Sequence, residues 1–246
     1  MSLKEQINEY IHQKVVHSVT QTKYREPVIG YCDVSNPLFA SLQETIHLEH
    51  LKPQDILPEA KSVIAFFLPF TKEVIDFNRT NQEVAREWAV AYAQTNALLY
   101  DICQGIKEIL IAQGYKCGFV EPTHNFDTEV LVAPWSHKHI AYIAGIGKFG
   151  LNRQLITTAG CAGRVCTIVT DAELAGETSV DENHLHEMCA NCGWCQNVCP
   201  VGALGKDRWD KHLCWERLQV IEKQYADVGM VPCCGKCVIG PCAILA

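Results

Sequence analysis

The sequence has no apolar run long enough to cross a bilayer, which argues against a membrane-spanning protein. Its opening residues, 1–6, are polar and favour a helix, so the basic and then apolar pattern of a secretory leader is missing. We find no internal repeat, low-complexity tract or flexible linker before the last quarter of the chain. We therefore expect a cytoplasmic protein without a membrane partner, in a reducing compartment that keeps thiols unpaired.

Basic residues are also scarce: 21 Lys and Arg stand against 28 Asp and Glu, and the formal net charge is −7. Proteins that bind nucleic acid draw much of their affinity from Lys and Arg side chains that displace counterions from phosphates. Residues 120–160 contain only Lys138, Lys148 and Arg153 and no basic run. Nucleic acid is thus a disfavoured partner. We expect instead a cytosolic electron donor or acceptor protein, and a small-molecule or protein substrate whose identity the sequence does not give.

Cysteine is abundant, with fourteen residues, and most of them crowd the last quarter of the chain. The run C-x2-C-x2-C-x3-C-P starts at Cys189, continues through Cys192 and Cys195, and ends at Cys199 and Pro200. In bacterial ferredoxins the first three cysteines of this run bind one iron–sulfur cluster, and the fourth binds a different cluster. The run therefore predicts a second set of cysteines elsewhere in the chain.

The second set lies downstream and completes two groups of four thiols. We assign to cluster one Cys189, Cys192, Cys195 and Cys242, and to cluster two Cys199, Cys214, Cys234 and Cys237. Cys233 is left over, because only Cys234 has the two-residue spacing to Cys237. Structural zinc, which prefers two separated C-x2-C pairs, and a disulfide framework are the alternatives. The triple run ending in Cys-Pro favours two [4Fe-4S] clusters.

Hydrophobic periodicity predicts helices and strands that alternate before the cysteine run. The predicted strands are 28–34, 62–69, 115–120, 152–157 and 165–169, and the predicted helices are 2–15, a short one from 36, 84–109 and 135–144. Thr80 and Glu83 are predicted to cap the long helix, residues 52–58 to form a loop, and Asp210 to cap a helix that turns Cys214 inward. The expected class is α+β, with an α/β layered domain at 1–180 and a ferredoxin-like domain at 181–246.

Three glycines follow the helix predicted at 135–144, and they do not fit a dinucleotide site, which needs a strand before the glycines and a helix after them. The stretch from Ala144 to Ile156, continued through Thr170 and Asp171 to the cysteine run, resembles epoxyqueuosine reductase and, more distantly, the reductive dehalogenases. The resemblance covers roughly residues 130–242. It implies a corrinoid-binding domain joined to a domain with two [4Fe-4S] clusters, and makes cobalamin a candidate cofactor.

The resemblance also implies which residues approach the corrin ring: Gly145, Gly147, Lys148, Gly150 and Asn152. One cluster should lie near enough to reduce the cobalt. Two departures mark this chain as a short, divergent member. The family's V-D-T-A-P carries a proton-donating aspartate where this chain has Leu131, and the family's W-I-G-K-N is altered at Lys148 and Leu151. No catalytic residue is assigned.

Several other side chains have both a structural and a functional interpretation. His137 and His139 fit a catalytic acid or an axial ligand, although histidines at a helix start are more often capping residues. His124, Asp127 and Glu129 could replace the missing acid, although a polar turn such as the one predicted at 122–127 commonly has this composition. Cys161 and Cys166 are expected to be buried and inert, and Trp194 to shield sulfur from water.

Two functions remain open from the sequence. The first is a redox enzyme that passes single electrons through two [4Fe-4S] clusters to a site in the first domain. The second is an electron-transfer or accessory protein that docks a partner and binds no corrinoid. Leu131 favours the second, and the glycines with Asn152 favour the first.

Overall fold

The structure, a computed structural model, describes residues 1–123, 126–174, 188–205 and 208–245. The α-helices are α1 (Leu3–Val16), α2 (Leu38–Thr45), α3 (Pro53–Ile56), α4 (Lys72–Thr80), α5 (Arg86–Ala112), α6 (His137–Ile143), α7 (Trp194–Asn197) and α8 (Lys211–Gln224). The strands are β1 (Val28–Asp33), β2 (Ser62–Pro69), β3 (Cys117–Gly118), β4 (Gly147–Phe149), β5 (Leu155–Thr157) and β6 (Gly163–Thr170). Two 3-10 turns follow at Lys236–Val238 and Pro241–Ala243.

The main sheet has the strand order β1-β2-β6-β3, and its neighbouring strands are antiparallel. Strands β4 and β5 form a separate antiparallel ribbon. Helices pack against an antiparallel sheet in α+β proteins, so the predicted class is confirmed. None of the helices within the described ranges is both long and apolar enough to cross a membrane.

Strand β2 is the centre of the fold, and all eight of its residues are buried. Alternate side chains of a strand point to opposite faces of the sheet. Ile64, Phe66 and Leu68 accordingly enter the core under α1 and α5. Val63 and Phe67 enter a second core that contains α2 and α6. The unbroken apolar run in the sequence reflects these two cores.

A third core joins the C-terminal part of the chain to the N-terminal part. Phe70 and Trp88 pack there with Ile221, Val231 and Ile239. Backbone hydrogen bonds reinforce this contact between residues 161–162 and 242–243, at N–O distances of 2.9 and 3.3 Å. The predicted boundary near residue 180 lies outside the described residues, and the parts on either side of it share this core.

Two local predictions are wrong near the termini of helices. Residues 53–56 form the one-turn helix α3, because the Asp55 carboxylate accepts a hydrogen bond from the Lys52 N–H at 2.7 Å and closes the turn. The expected capping box at Thr80 is absent from α5, which begins at Arg86. Thr80 instead ends α4, a helix that the sequence analysis missed, and its hydroxyl donates to the Asp76 carbonyl at 2.9 Å.

Two strands are shorter than predicted. β3 is an edge strand that pairs with β6 over only Cys117 and Gly118. The strand expected from residue 152 begins at Leu155, because Arg153 has a φ of 57° and forms a turn. The other predicted elements lie within a few residues of the observed ones.

Candidate metal centres

Two cavities in the C-terminal part of the molecule are lined by cysteine. The larger, of about 220 Å³, is lined by the four thiols of the predicted cluster two, Cys199, Cys214, Cys234 and Cys237, and also by Cys161 and Cys233. The smaller, of about 110 Å³, is lined by the four thiols of the predicted cluster one: Cys189, Cys192, Cys195 and Cys242. In the described part of the chain, no three His, Cys, Asp or Glu side chains converge as closely as a single metal ion requires.

Local structure fixes the thiols of the larger cavity. Asp210 caps α8 by accepting hydrogen bonds from two backbone N–H groups at 3.1 Å, which sets the first turn of the helix and with it Cys214. Cys234 and Cys237 flank Gly235, whose φ of 72° favours glycine. A Cβ at Gly235 would also lie 2.2 Å from Trp88, so this turn requires glycine on two counts.

Burial raises the pKa of three thiols of the larger cavity, Cys214, Cys234 and Cys237. Burial raises the pKa of Cys214 to about 11, and the charges of Cys234 and Cys199 add to the effect. Burial likewise raises the pKa of Cys237 far above its usual range, with further contributions from Cys234 and Cys214. Four thiolates in one cavity need a compensating positive charge, which a bound metal supplies while it holds the thiols deprotonated. The donor set therefore fits an iron–sulfur cluster.

Cationic side chains are among the residues that line the larger cavity. Lys236 is buried, and its ammonium donates to three backbone carbonyls, those of Asn78, Asn81 and Glu83, at 2.6, 2.7 and 2.9 Å. Arg217 lies against Cys234 and lowers the pKa of that thiol, although burial of the thiol outweighs this and leaves the pKa raised. These groups oppose the negative charge that the cavity would carry when it is loaded.

One thiol of the smaller cavity lies at the surface. Cys192 is exposed, whereas Cys195 in α7 is buried. The Trp194 ring lies on the backbone of the last 3-10 turns, where a Cβ at Gly240 would come within 2.3 Å of it. Trp194 lines this cavity, and its shielding of sulfur stays a prediction.

Sequence reasoning missed the position of Cys161. Its Sγ lies 3.6 Å from Cys242 Sγ, while the Sγ of Cys166 lies 3.4 Å from Cys103 Sγ in the core beneath α5. The hydrogen bond from Cys161 lowers the pKa of the Cys242 thiol and raises that of Cys161. Cys161 and Cys166 are both buried as expected, but Cys161 also lies beside a predicted ligand. Nothing in the spacing of Cys161 indicated this contact, which joins segments 81 residues apart.

The glycines before the cysteine run have structural roles of their own. Gly145 ends α6 with a φ of 75°, and its N–H donates to the Tyr142 carbonyl at 3.0 Å. A Cβ at Gly147 would lie 2.3 Å from the carbonyl oxygen of Ile156 on β5. The Gly150 N–H donates to a backbone carbonyl at 3.1 Å. Cofactor binding by Gly145, Gly147, Lys148, Gly150 and Asn152 stays a prediction, and Asn152 lies between the two cavities.

The histidines of α6 are held inside the fold. His137 Nδ1 lies 2.8 Å from the Thr167 hydroxyl and Nε2 lies 3.3 Å from the Glu121 carbonyl, which assigns the proton to Nε2. Burial lowers the pKa of His137 to about 4 and that of His139 to about 4. His139 contacts the Ser136 hydroxyl at 2.7 Å, as a residue at a helix start does.

The turn that would supply a replacement acid is closed by hydrogen bonds between its own residues. The Asp127 carboxylate accepts hydrogen bonds from the backbone N–H groups of Glu129 and Val130 at 2.7 and 3.0 Å, which lowers the pKa of Asp127. Leu131 follows with a φ of 54°, a left-handed conformation that a leucine rarely adopts. His124 lies outside the described residues.

A polar group borders the larger cavity on the side of the main sheet. Tyr92, Gln154 and Arg164 line the cavity, and the Arg164 guanidinium lies 4.3 Å above the Tyr92 ring. Lys138 on α6 donates to the Gln154 side chain at 3.2 Å, and burial lowers the pKa of Lys138. The group has the positive charge and hydrogen-bond donors needed to bind an anionic or polar molecule beside the thiols.

Comparison with known proteins supports both parts of this description. Residues 185–205 match the family model of a 4Fe-4S binding domain. A selenomethionine-labelled epoxyqueuosine reductase superposes with a TM-score of 0.62 over 98% of this chain and 65% of its own, at 17% identity. The epoxyqueuosine reductase of Streptococcus thermophilus superposes with a TM-score of 0.58 over 99% and 66%, at 16% identity. This chain has the epoxyqueuosine reductase fold.

The reductive dehalogenases are similar in sequence as well. The tetrachloroethene reductive dehalogenases of Desulfitobacterium hafniense and of Dehalobacter restrictus are 30% identical to this chain over 168 residues, which is 68% of its length. The chain spans only 28% of the length of these relatives. The resemblance expected from the sequence is thus confirmed.

Proposed function

We propose that this chain is an iron–sulfur reductase that holds two [4Fe-4S] clusters, cluster one in the smaller cavity and cluster two in the larger. The observation that carries the proposal is the division of the predicted ligands: each cavity is lined by one complete set of four, with Cys161 and Cys233 as further cysteines in the lining of the larger one. When bound, such clusters supply single-electron transfer at potentials set by charge, hydrogen bonds and exposure. The reductases that share the fold support the same function.

The protein's own residues would hold the clusters, oppose their charge and position the electron donor and the substrate. Lys236 and Arg217 place positive charge beside the larger cavity and oppose the charge of its thiolates. The exposed Cys192 places the smaller cavity at the surface, where a cytosolic donor protein would dock. Tyr92 and Arg164 would bind a small-molecule or protein substrate next to the larger cavity, on the side of the main sheet.

Cobalamin is the acceptor that the fold family suggests, since one neighbour is a reductive dehalogenase whose structure is described as suggesting B12-dependent dehalogenation. The glycine turn gives it little support, because the N–H groups of Gly145 and Gly150 donate within the protein. A Cβ at Gly147 would meet β5 and not an open cradle. We therefore derive no step through cobalamin.

The second candidate is an electron-transfer protein without a corrinoid, and Leu131 at the position of the family's acid favours it. An anaerobic spectrum of the reconstituted protein, recorded with and without added cobalamin, separates the two. Spectral change of cobalamin at one equivalent per chain supports a corrinoid reductase. An unchanged cobalamin spectrum beside intact iron–sulfur absorption supports the electron-transfer protein, and stoichiometric zinc in place of iron contradicts both.

A further inference from the structure

Asn152 connects the two cavities. It is 2% exposed and lines both of them. The orientation of its amide is fixed, because Oδ1 accepts a hydrogen bond from the Gln154 backbone N–H at 3.1 Å. Nδ2 then donates to Cys161 Sγ at 3.6 Å and to the carbonyl oxygen of Cys237 at 3.3 Å. Asn152 thereby holds a thiol that belongs to neither predicted set of ligands.

That thiol has one proton and two acceptors. Cys161 is 4% exposed, and its Sγ lies 3.5 Å from the Val238 carbonyl oxygen and 3.6 Å from Cys242 Sγ. Its backbone N–H donates to the Cys242 carbonyl at 2.9 Å, which keeps the two residues side by side. A negatively charged acceptor binds a proton donor more strongly than a neutral one. The S–H of Cys161 would therefore form its hydrogen bond with a thiolate at Cys242 in preference to the carbonyl of Val238.

We propose that Cys161 is a positioning residue of cluster one, which donates its S–H to the Sγ of Cys242 and raises the reduction potential of that cluster. The proposal rests on the proposed function, in which Cys242 is a ligand. Hydrogen bonds to ligand sulfurs are among the factors that set cluster potentials. A donor stabilises the reduced cluster more than the oxidised one, because the reduced cluster is more negative. Asn152 strengthens the donor, since hydrogen bonds in a chain polarise one another.

The test is a potentiometric titration of the anaerobically reconstituted full chain, followed by electron paramagnetic resonance and accompanied by iron analysis. Cys161 also lines the larger cavity, so Cys161→Ala should shift the midpoint potential of cluster one to a more negative value, by more than any shift of cluster two, and leave the iron content unchanged. Cys161→Ser keeps a donor and should stay nearer to the wild type. Cys166→Ala removes an equally buried thiol that contacts Cys103, so it is the matched control and should shift neither potential.

Three outcomes would overturn the assignment. The first is an unchanged potential of cluster one in Cys161→Ala. The second is a loss of about four irons per chain in that variant, which would make Cys161 a ligand. If Cys161→Ala does not fold, Asn152→Leu serves instead, and an unchanged potential there is the third. A wild-type protein that reconstitutes no cluster one would refute the proposed function itself, and iron analysis of the wild type shows this before any variant is compared.

Discussion

The ammonium of Lys236 donates a hydrogen bond to the carbonyl oxygen of Asn78 at 2.6 Å, across 158 residues of sequence. Lys236 lies between two predicted ligands of cluster two, and Asn78 lies near the end of α4. The Asn78 side chain reaches back, since its amide donates to the Cys234 carbonyl at 2.9 Å. These contacts fasten the cysteine loop to the N-terminal part of the chain.

Loss of this contact should be costly. In Lys236→Met three backbone carbonyls, one of them buried, lose a charged donor, and each charge-assisted hydrogen bond contributes about 1.5–3 kcal/mol. Because removing the lysine also relieves the cost of burying its charge, we expect a net loss of about 2–4 kcal/mol in the free energy of unfolding. Urea denaturation of the anaerobic holoprotein measures it. Lys223→Met, at an exposed position of α8, is the control, and equal stability of the two variants would contradict the role of Lys236.

Local signals explain which parts of this fold the sequence predicted. Strand β2 was recognisable because eight consecutive buried residues leave an unbroken apolar run, and Cys214 because a capped helix has a fixed period. Thr80 was assigned to the wrong helix, since its capping pattern is local while the packing that ends α4 is not. The contact between Cys161 and Cys242 depends on how the C-terminal turns pack against residues 159–162, and no local pattern encodes it.

The assignment of ligands predicts which variants should behave alike. Cys242→Ala should perturb the same cluster as Cys192→Ala, since both residues line the smaller cavity. Cys199→Ala should perturb the same cluster as Cys214→Ala, because both line the larger one. Electron paramagnetic resonance spectra of the four variants provide the pairing. A spectrum in which Cys199→Ala matches Cys192→Ala would show that the crossed arrangement is wrong.

Cys233 provides a further control for this assignment. It is 4% exposed and packs in the third core with Trp88 and Ile239, although it also lines the larger cavity. Cys233→Ala should therefore retain both clusters, with the full iron content of the wild type. Loss of cluster two in this variant, with Cys234→Ala retaining it, would exchange the roles of the two residues.

Burial of His137 predicts a dependence of stability on pH. Its folded pKa of about 4 lies below the usual value of 6.5, so the unfolded chain binds the extra proton first as the pH falls. The free energy of unfolding should thus decrease between pH 6.5 and pH 4, by about 3 kcal/mol in total from this residue. Denaturation at pH 6.5 and pH 5 measures the first part of the decrease. His137→Asn should show a shallower decrease, and an equal slope in both proteins would assign the effect to other groups.

Leu131 predicts that this chain does not reduce epoxyqueuosine. A leucine cannot donate a proton, and general acid catalysis contributes a factor of about 10² to 10⁴. We expect no turnover of epoxyqueuosine-containing RNA under reducing conditions with added cobalamin. Leu131→Asp should not restore turnover, because Lys148 and Leu151 also depart from the family's pattern. Aspartate tolerates the φ of 54° better than leucine, so the variant should fold. Turnover by the unmodified protein would contradict the divergent assignment.

The central claim is that two cavities hold two four-iron clusters. The most direct measurement is Mössbauer spectroscopy of the chain reconstituted anaerobically with ⁵⁷Fe, combined with chemical analysis of iron and sulfide. We predict about eight irons and eight sulfides per chain, all in four-iron clusters, and about half of that amount in Cys237→Ala, which removes a ligand of the larger cavity only. About four irons in the fully reconstituted wild type, or zinc in place of iron, would contradict the account.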